Sequence, residues 1–252
     1  MSMNSAVPFN KRSYSYKMVF EELIYSIETT KSWLVFSNTL DKMSVNKGFG
    51  GCWMSSKKWV SLFLKTLLLG CVVGMVIGII VQWHTQMQGL YDGHISGFFI
   101  NLMVIGVLGG LFSVISQMGF FFYLTLHRIA LGIFRSHSRW GIVQWFLISV
   151  TFVDFIYLRY SAFGHGEGVG GYFIPPVILI IIALAVAEIK KRETNKIAYI
   201  PALFFMFVVT TLEWLPVLRQ KETTMFWVMG LTLVVCNAYQ MLKLHRLLRQ
   251  VK

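Results

Sequence analysis

The stretch Trp59-Val-Ser-Leu-Phe-Leu-Lys-Thr-Leu-Leu-Leu-Gly-Cys-Val-Val-Gly-Met-Val-Ile-Gly-Ile-Ile-Val81 decides the fold class. Its only charge is Lys65. At 1.5 Å per residue it forms a helix about 35 Å long, enough to cross a hydrocarbon core of about 30 Å. Five further runs have the same character: Ser96–Leu126, Trp140–Leu158, Gly170–Ile189, Ile197–Leu218 and Thr223–Leu242. Pro175 and Pro176 fall in the first turn of the fourth run, where proline is tolerated. The sequence therefore predicts an all-α polytopic membrane bundle of six transmembrane helices.

Composition agrees. Of 252 residues 56% are hydrophobic and only 13% charged, and the mean hydropathy is +0.62. So few charges cannot cover a water-facing surface, given that ordinary globular chains are about a quarter charged. These values exclude a soluble enzyme, a disordered chain and a disulfide scaffold. The 15% of aromatic residues suits membrane interfaces.

Net charge is +12, but the basic residues are sorted by side rather than gathered into a stripe. Between spans, one side holds only Arg159, Arg219 and Lys221. The leading segment, His127–Arg139, Lys190–Lys196 and the tail hold the rest, apart from Lys65. The positive-inside rule then places both termini in the cytoplasm. Basic residues distributed in this way mark topology and give no nucleic-acid interface.

Residues 1–53 mix polar and charged residues without a sustained period. They are expected to form a polar extension, either a flexible cytoplasmic arm with an amphipathic helix near Met18–Ile27 or a stretch upstream of the working start at Met54. Residues 54–252 are expected to form the transmembrane domain.

Gly70, Gly74 and Gly78 recur every fourth residue, so they share a helix face that lets another backbone approach closely. The second span offers a matching face of Gly106, Gly109, Gly110, Ser113, Ser116 and Gly119. These faces are expected to pack on each other or on a partner's transmembrane helix. Gln117 is expected to make an interhelical hydrogen bond, and Lys65 to snorkel to the cytoplasmic face.

Asp154 and Glu213 lie toward the outer ends of the third and fifth spans, where a charge requires pairing or hydration. Arg159 is the expected basic partner, capping the bundle. A rival reading makes Asp154, Arg159 and Glu213 the substrate site of a small transporter or ligand sensor. His84, His94 and His165 share the outer loops with Asp92 and Glu167, but without HxxxH or HExxH spacing, so no metal site is predicted. Cys52, Cys71 and Cys236 form no CxxC pair. No serine-nucleophile, zincin or intramembrane aspartyl motif is present. No catalytic residue or cofactor is expected.

The run Gly109-Gly-Leu-Phe-Ser-Val-Ile-Ser-Gln-Met-Gly-Phe-Phe-Phe-Tyr-Leu-Thr-Leu-His127, with Trp145-Phe-Leu-Ile148 and Phe152-Val-Asp-Phe-Ile-Tyr-Leu-Arg-Tyr160, resembles the KinB-signalling pathway activation (KbaA) family. The resemblance covers roughly Met54 to the C-terminus and leaves residues 1–53 outside. It implies a non-enzymatic protein of the cytoplasmic membrane of an endospore-forming bacterium. Such a protein would be needed for a KinB-type membrane histidine kinase, or its accessory proteins, to feed the sporulation phosphorelay. The family carries no catalytic motif, so no residue inherits a role.

Overall fold

The computed structural model describes residues 56–83, 95–163, 172–218, 220 and 223–249, and their main elements are helical. The proposed extension 1–53 and the histidines and acids of the outer loops lie outside the described residues.

In chain order the elements are α1 (Ser56–Val81), α2 (Ile95–Phe134), α3 (His137–Phe163) and α4 (Ile174–Glu193). A 3-10 turn (Lys196–Ala198) then leads into α5 (Tyr199–Phe204), a π-helical turn (Phe205–Val209) and α6 (Thr210–Leu218), followed by α7 (Thr223–Arg249). The segments from Lys196 to Leu218 form one rod. Five of these helices or rods are long and apolar enough to cross a membrane: Trp59–Val81, Ser96–Phe134, His137–Phe163, Lys196–Leu218 and Thr224–Leu244.

Helix α4 differs from the expected fourth span. Its apolar part ends at Ala187, because Glu188, Lys190, Lys191 and Arg192 follow. Those 14 residues span about 21 Å, short of a full crossing at this helix's own apolar length. Glu188 bridges Lys191 at 3.0 Å and Arg192 at 3.2 Å, so the charges neutralise one another along one face.

Helix α2 is longer than the run Ser96–Leu126. It continues as one 40-residue helix through Phe134, about 60 Å. It stops where Arg135 takes a left-handed backbone conformation at φ 51°, its N–H bonded to the Leu131 carbonyl at 3.0 Å. That conformation ends helices and usually recruits glycine. Helix α3 begins two residues later.

The core gathers around the α5–π–α6 rod. Phe205, Met206, Phe207, Val208 and Val209 of the π turn are all buried. Phe120 meets Phe205 edge-on at 5.4 Å, and Tyr123 lies 5.0 Å from the same ring. Trp214 stacks on Phe226 at 4.6 Å and donates from Nε1 to the Phe226 carbonyl at 3.0 Å. It can lie so close to α7 because Gly230 beneath it has no side chain. The opposite surfaces are apolar too. On α1, Val60, Leu64, Leu68, Val72, Val76 and Ile80 are exposed at every fourth residue, a stripe suited to lipid and not to water.

Candidate functional site

Two features concentrate the non-apolar chemistry of the bundle: the seam between α1 and α2, and a polar cluster where α2, α6 and α7 meet.

The seam is built from small residues. A Cβ added to Gly74 would stand 2.7 Å from the Gly109 Cα, and one added to Gly78 would stand 2.5 Å from the Ile105 side chain. At Gly70 it would collide with Ser113 and the Gly109 carbonyl, and at Gly106 with Met75. At Gly110 it would meet Cys71 Sγ at 2.8 Å. The glycine faces of the first two spans are thus turned toward one another inside the molecule. Ser113 Oγ crosses the seam, donating to the Thr66 carbonyl of α1 at 2.7 Å. Thr66 turns its own hydroxyl to the Leu62 carbonyl at 2.8 Å, so both hydroxyls at this point of the seam are bonded.

Gln117 behaves differently from expectation. Its Nε2 donates to Ser113 Oγ at 3.2 Å, one turn back on the same helix, and its Oε1 has no hydrogen-bond partner among the described residues. The bond is intrahelical because residues four apart lie on one face.

In the polar cluster, Asn237 of α7 is the hub. Its Nδ2 donates to Glu213 Oε2 at 2.7 Å and to Thr210 Oγ1 at 2.9 Å. Its Oδ1 accepts from Ser116 Oγ at 2.7 Å, and Ser116 Oγ in turn accepts from Gln240 Nε2 at 2.6 Å. All five side chains are buried. Gly119 of α2 leaves the space that the Glu213 carboxylate occupies, since an added Cβ would collide with Glu213 Oε1. That oxygen has no hydrogen-bond partner among the described residues.

The expected pairing of the acids with Arg159 does not occur. Arg159 turns inward: its Nη1 donates to the Leu218 carbonyl at 3.4 Å, and its guanidinium lies 4.1 Å from the Phe226 ring centroid. Asp154 is exposed on another side of α3. Five residues separate the two, a rotation of about 140°, whereas only residues three or four apart face each other. Glu213 is held instead by Asn237. That residue is 14 positions along α7, about 21 Å from its start, so the carboxylate sits near the middle of α7 and not at the bundle's end. Asp154, Arg159 and Glu213 therefore do not form one substrate site through any ion pair among the described residues.

Lys65 is exposed on α1. Lys190, at the end of α4, is buried and donates from Nζ to the Met241 carbonyl at 2.7 Å. Burial pushes its ammonium down from its ordinary pKa, and Glu193 beside it pulls the other way.

Asn237 and Gln240 were not singled out from the sequence. Their signal was an amide pair three residues apart inside an apolar run, a spacing that puts both on one helix face.

Known proteins place the chain. The family model for KinB-signalling pathway activation in sporulation matches residues 70–247. A protein of Bacillus subtilis (strain 168), the KinB-signaling pathway activation protein, is 39% identical over 194 residues, which is 76% of this chain and 97% of that protein. No solved structure matches.

Proposed function

The chain belongs to the KinB-signalling pathway activation family, and from that membership we propose that it is a non-enzymatic, multi-pass activator of a KinB-type sensor histidine kinase leading to sporulation. Its setting is the cytoplasmic membrane of a spore-forming bacterium, with both termini in the cytoplasm and six crossings, five by the long apolar helices and the sixth by the shorter α4. The observation that carries this reading is the match over nearly the whole length of the Bacillus subtilis relative. The five long apolar helices support the membrane setting.

The mechanism is contact between helices within the bilayer. The Gly70, Gly74 and Gly78 face is occupied by α2, so its part is to hold α1 in place. Contact with the kinase belongs to the outward faces. To activate, that contact must favour the active state of the kinase over the inactive one; equal affinity for both would shift nothing.

Purification of the tagged full-length chain from sporulating cells in mild detergent tests this. The expected result is that the sensor kinase accompanies it. Intact protein that recovers no kinase, in cells where the kinase is present, overturns the reading.

A further inference from the structure

One end of the bundle holds a cation without a counter-charge. Arg159 lies where four helices end or begin: α3 closes at Phe163, α4 opens at Ile174, α6 closes at Leu218 and α7 opens at Thr223. The expected topology makes this the outer end. Arginine carries five N–H donors. Among the described residues the half-buried Arg159 uses only Nη1, at 3.4 Å to the Leu218 carbonyl, and its enclosed Nε has no partner. The guanidinium lies 4.1 Å from the Phe226 ring centroid and 5.1 Å from that of Phe163. Rings attract a cation without neutralising it, and no carboxylate pairs with it among the described residues. Two residues past Leu218, Gln220 Oε1 is a second enclosed polar atom without a partner among the described residues.

From the same place an apolar groove runs into the membrane. Pro175, Ile178 and Ile182 of α4 form one wall, and Trp227, Leu231 and Val234 of α7 form the other, with Trp214 between them. Pro175 to Ile182 is about 10 Å along the helix. Both walls start at residues tied to Arg159. Phe226, against the guanidinium, stacks on Trp214 at 4.6 Å and meets Trp227 edge-on at 5.3 Å. Tyr160, next to Arg159 in sequence, meets Tyr172 edge-on at 6.0 Å, one turn before Pro175.

We propose that a phospholipid of the outer leaflet binds here, its phosphate on Arg159 and one acyl chain in the groove between α4 and α7. Charge and direction select this occupant. A planar guanidinium pairs bidentately with phosphate oxygens. A phospholipid carries that anion at the level where the helices leave the hydrocarbon, and its chain runs inward from it as the groove runs inward from Arg159. Headgroup hydroxyl or ammonium groups supply the kind of donor that Gln220 lacks. Bound in this way, the lipid ties the short α4 to α7, and it needs no kinase to do so.

Phosphatidylglycerol added to the delipidated full-length protein in detergent tests the site, with the melting temperature read against lipid concentration. The expected result is a saturable rise. Arg159→Gln should raise the half-saturating concentration about tenfold. Ile178→Trp, which fills the groove from its exposed rim, should do the same. Val177→Trp, on the exposed surface of α4 but outside the groove, should stay within about twofold. If Arg159→Gln does not fold, the contrast between Ile178→Trp and Val177→Trp decides. A response indifferent to both Arg159→Gln and Ile178→Trp is a general effect of lipid and overturns the proposal. Inorganic phosphate that stabilises equally well marks a soluble-anion site and overturns the lipid. Diacylglycerol that matches phosphatidylglycerol does so too, because the phosphate is then idle. A photoreactive acyl chain on the same lipid should label residues 175–182 or 227–234. Labelling confined to the outward stripe of α1 overturns the groove as its seat.

Discussion

At the scale of single residues, the Glu213 carboxylate is the most exacting group in the bundle. It is held by one amide, forms no ion pair among the described residues, and occupies space left by a glycine. Gln at this position keeps an acceptor for Asn237, so Glu213→Gln should be less destabilising in detergent than Glu213→Leu. Glu213→Leu removes that acceptor and should cost about 1–3 kcal/mol. Solute flux into liposomes that is present in the parent and lost in Glu213→Gln would indicate transport instead. Gly119→Ala tests the same point from the other side. Its methyl displaces the carboxylate, and the melting temperature should fall as it does for Glu213→Leu. The sequence showed Glu213 as an anomaly but not its partner. Nothing local links Glu213 to Asn237, 24 residues away, and only the packing of α6 on α7 brings them together.

At the scale of elements, the α1–α2 seam was the most legible feature, because small residues every fourth position can serve only close helix approach. Gly74→Leu should force the two helices apart and cost about 1–3 kcal/mol or more, read as loss of folded protein in detergent. Gly132→Leu is the control. It lies in the same α2 helix, but an added Cβ there meets nothing within 4 Å, so the protein should accumulate normally. Other element features were hidden. The polar His127 and Arg128 suggested a loop, yet nothing between them and Phe134 stops a helix, and α2 runs on to the left-handed Arg135. The π turn at Phe205–Val209 is an apolar run without glycine or proline, so no residue announces it. The Asp154–Arg159 pair failed for the opposite reason. The charges were visible, but their spacing turns them to different faces of α3.

At the scale of the whole molecule, the sorting of Lys and Arg predicts a topology that fusions can read. A cytoplasm-dependent reporter joined at Ser136 or after Lys252 should be active, and one joined at Gly166 or Gln86 should be silent, while a reporter requiring export should show the reverse pattern. Because α4 has a short apolar part, a further fusion at Thr194, just after it, is the decisive one; a cytoplasm-dependent reporter that is silent there would remove the α4 crossing. The length of α2 has a further, mechanical consequence. An unbroken 40-residue helix about 60 Å long is a lever, and a tilt of about 5° at one end sweeps the other through about 5 Å. In the expected topology, a partner that leans on the outer end of this helix would thus move its Phe134 end on the cytoplasmic side, with no residue between them changing its conformation.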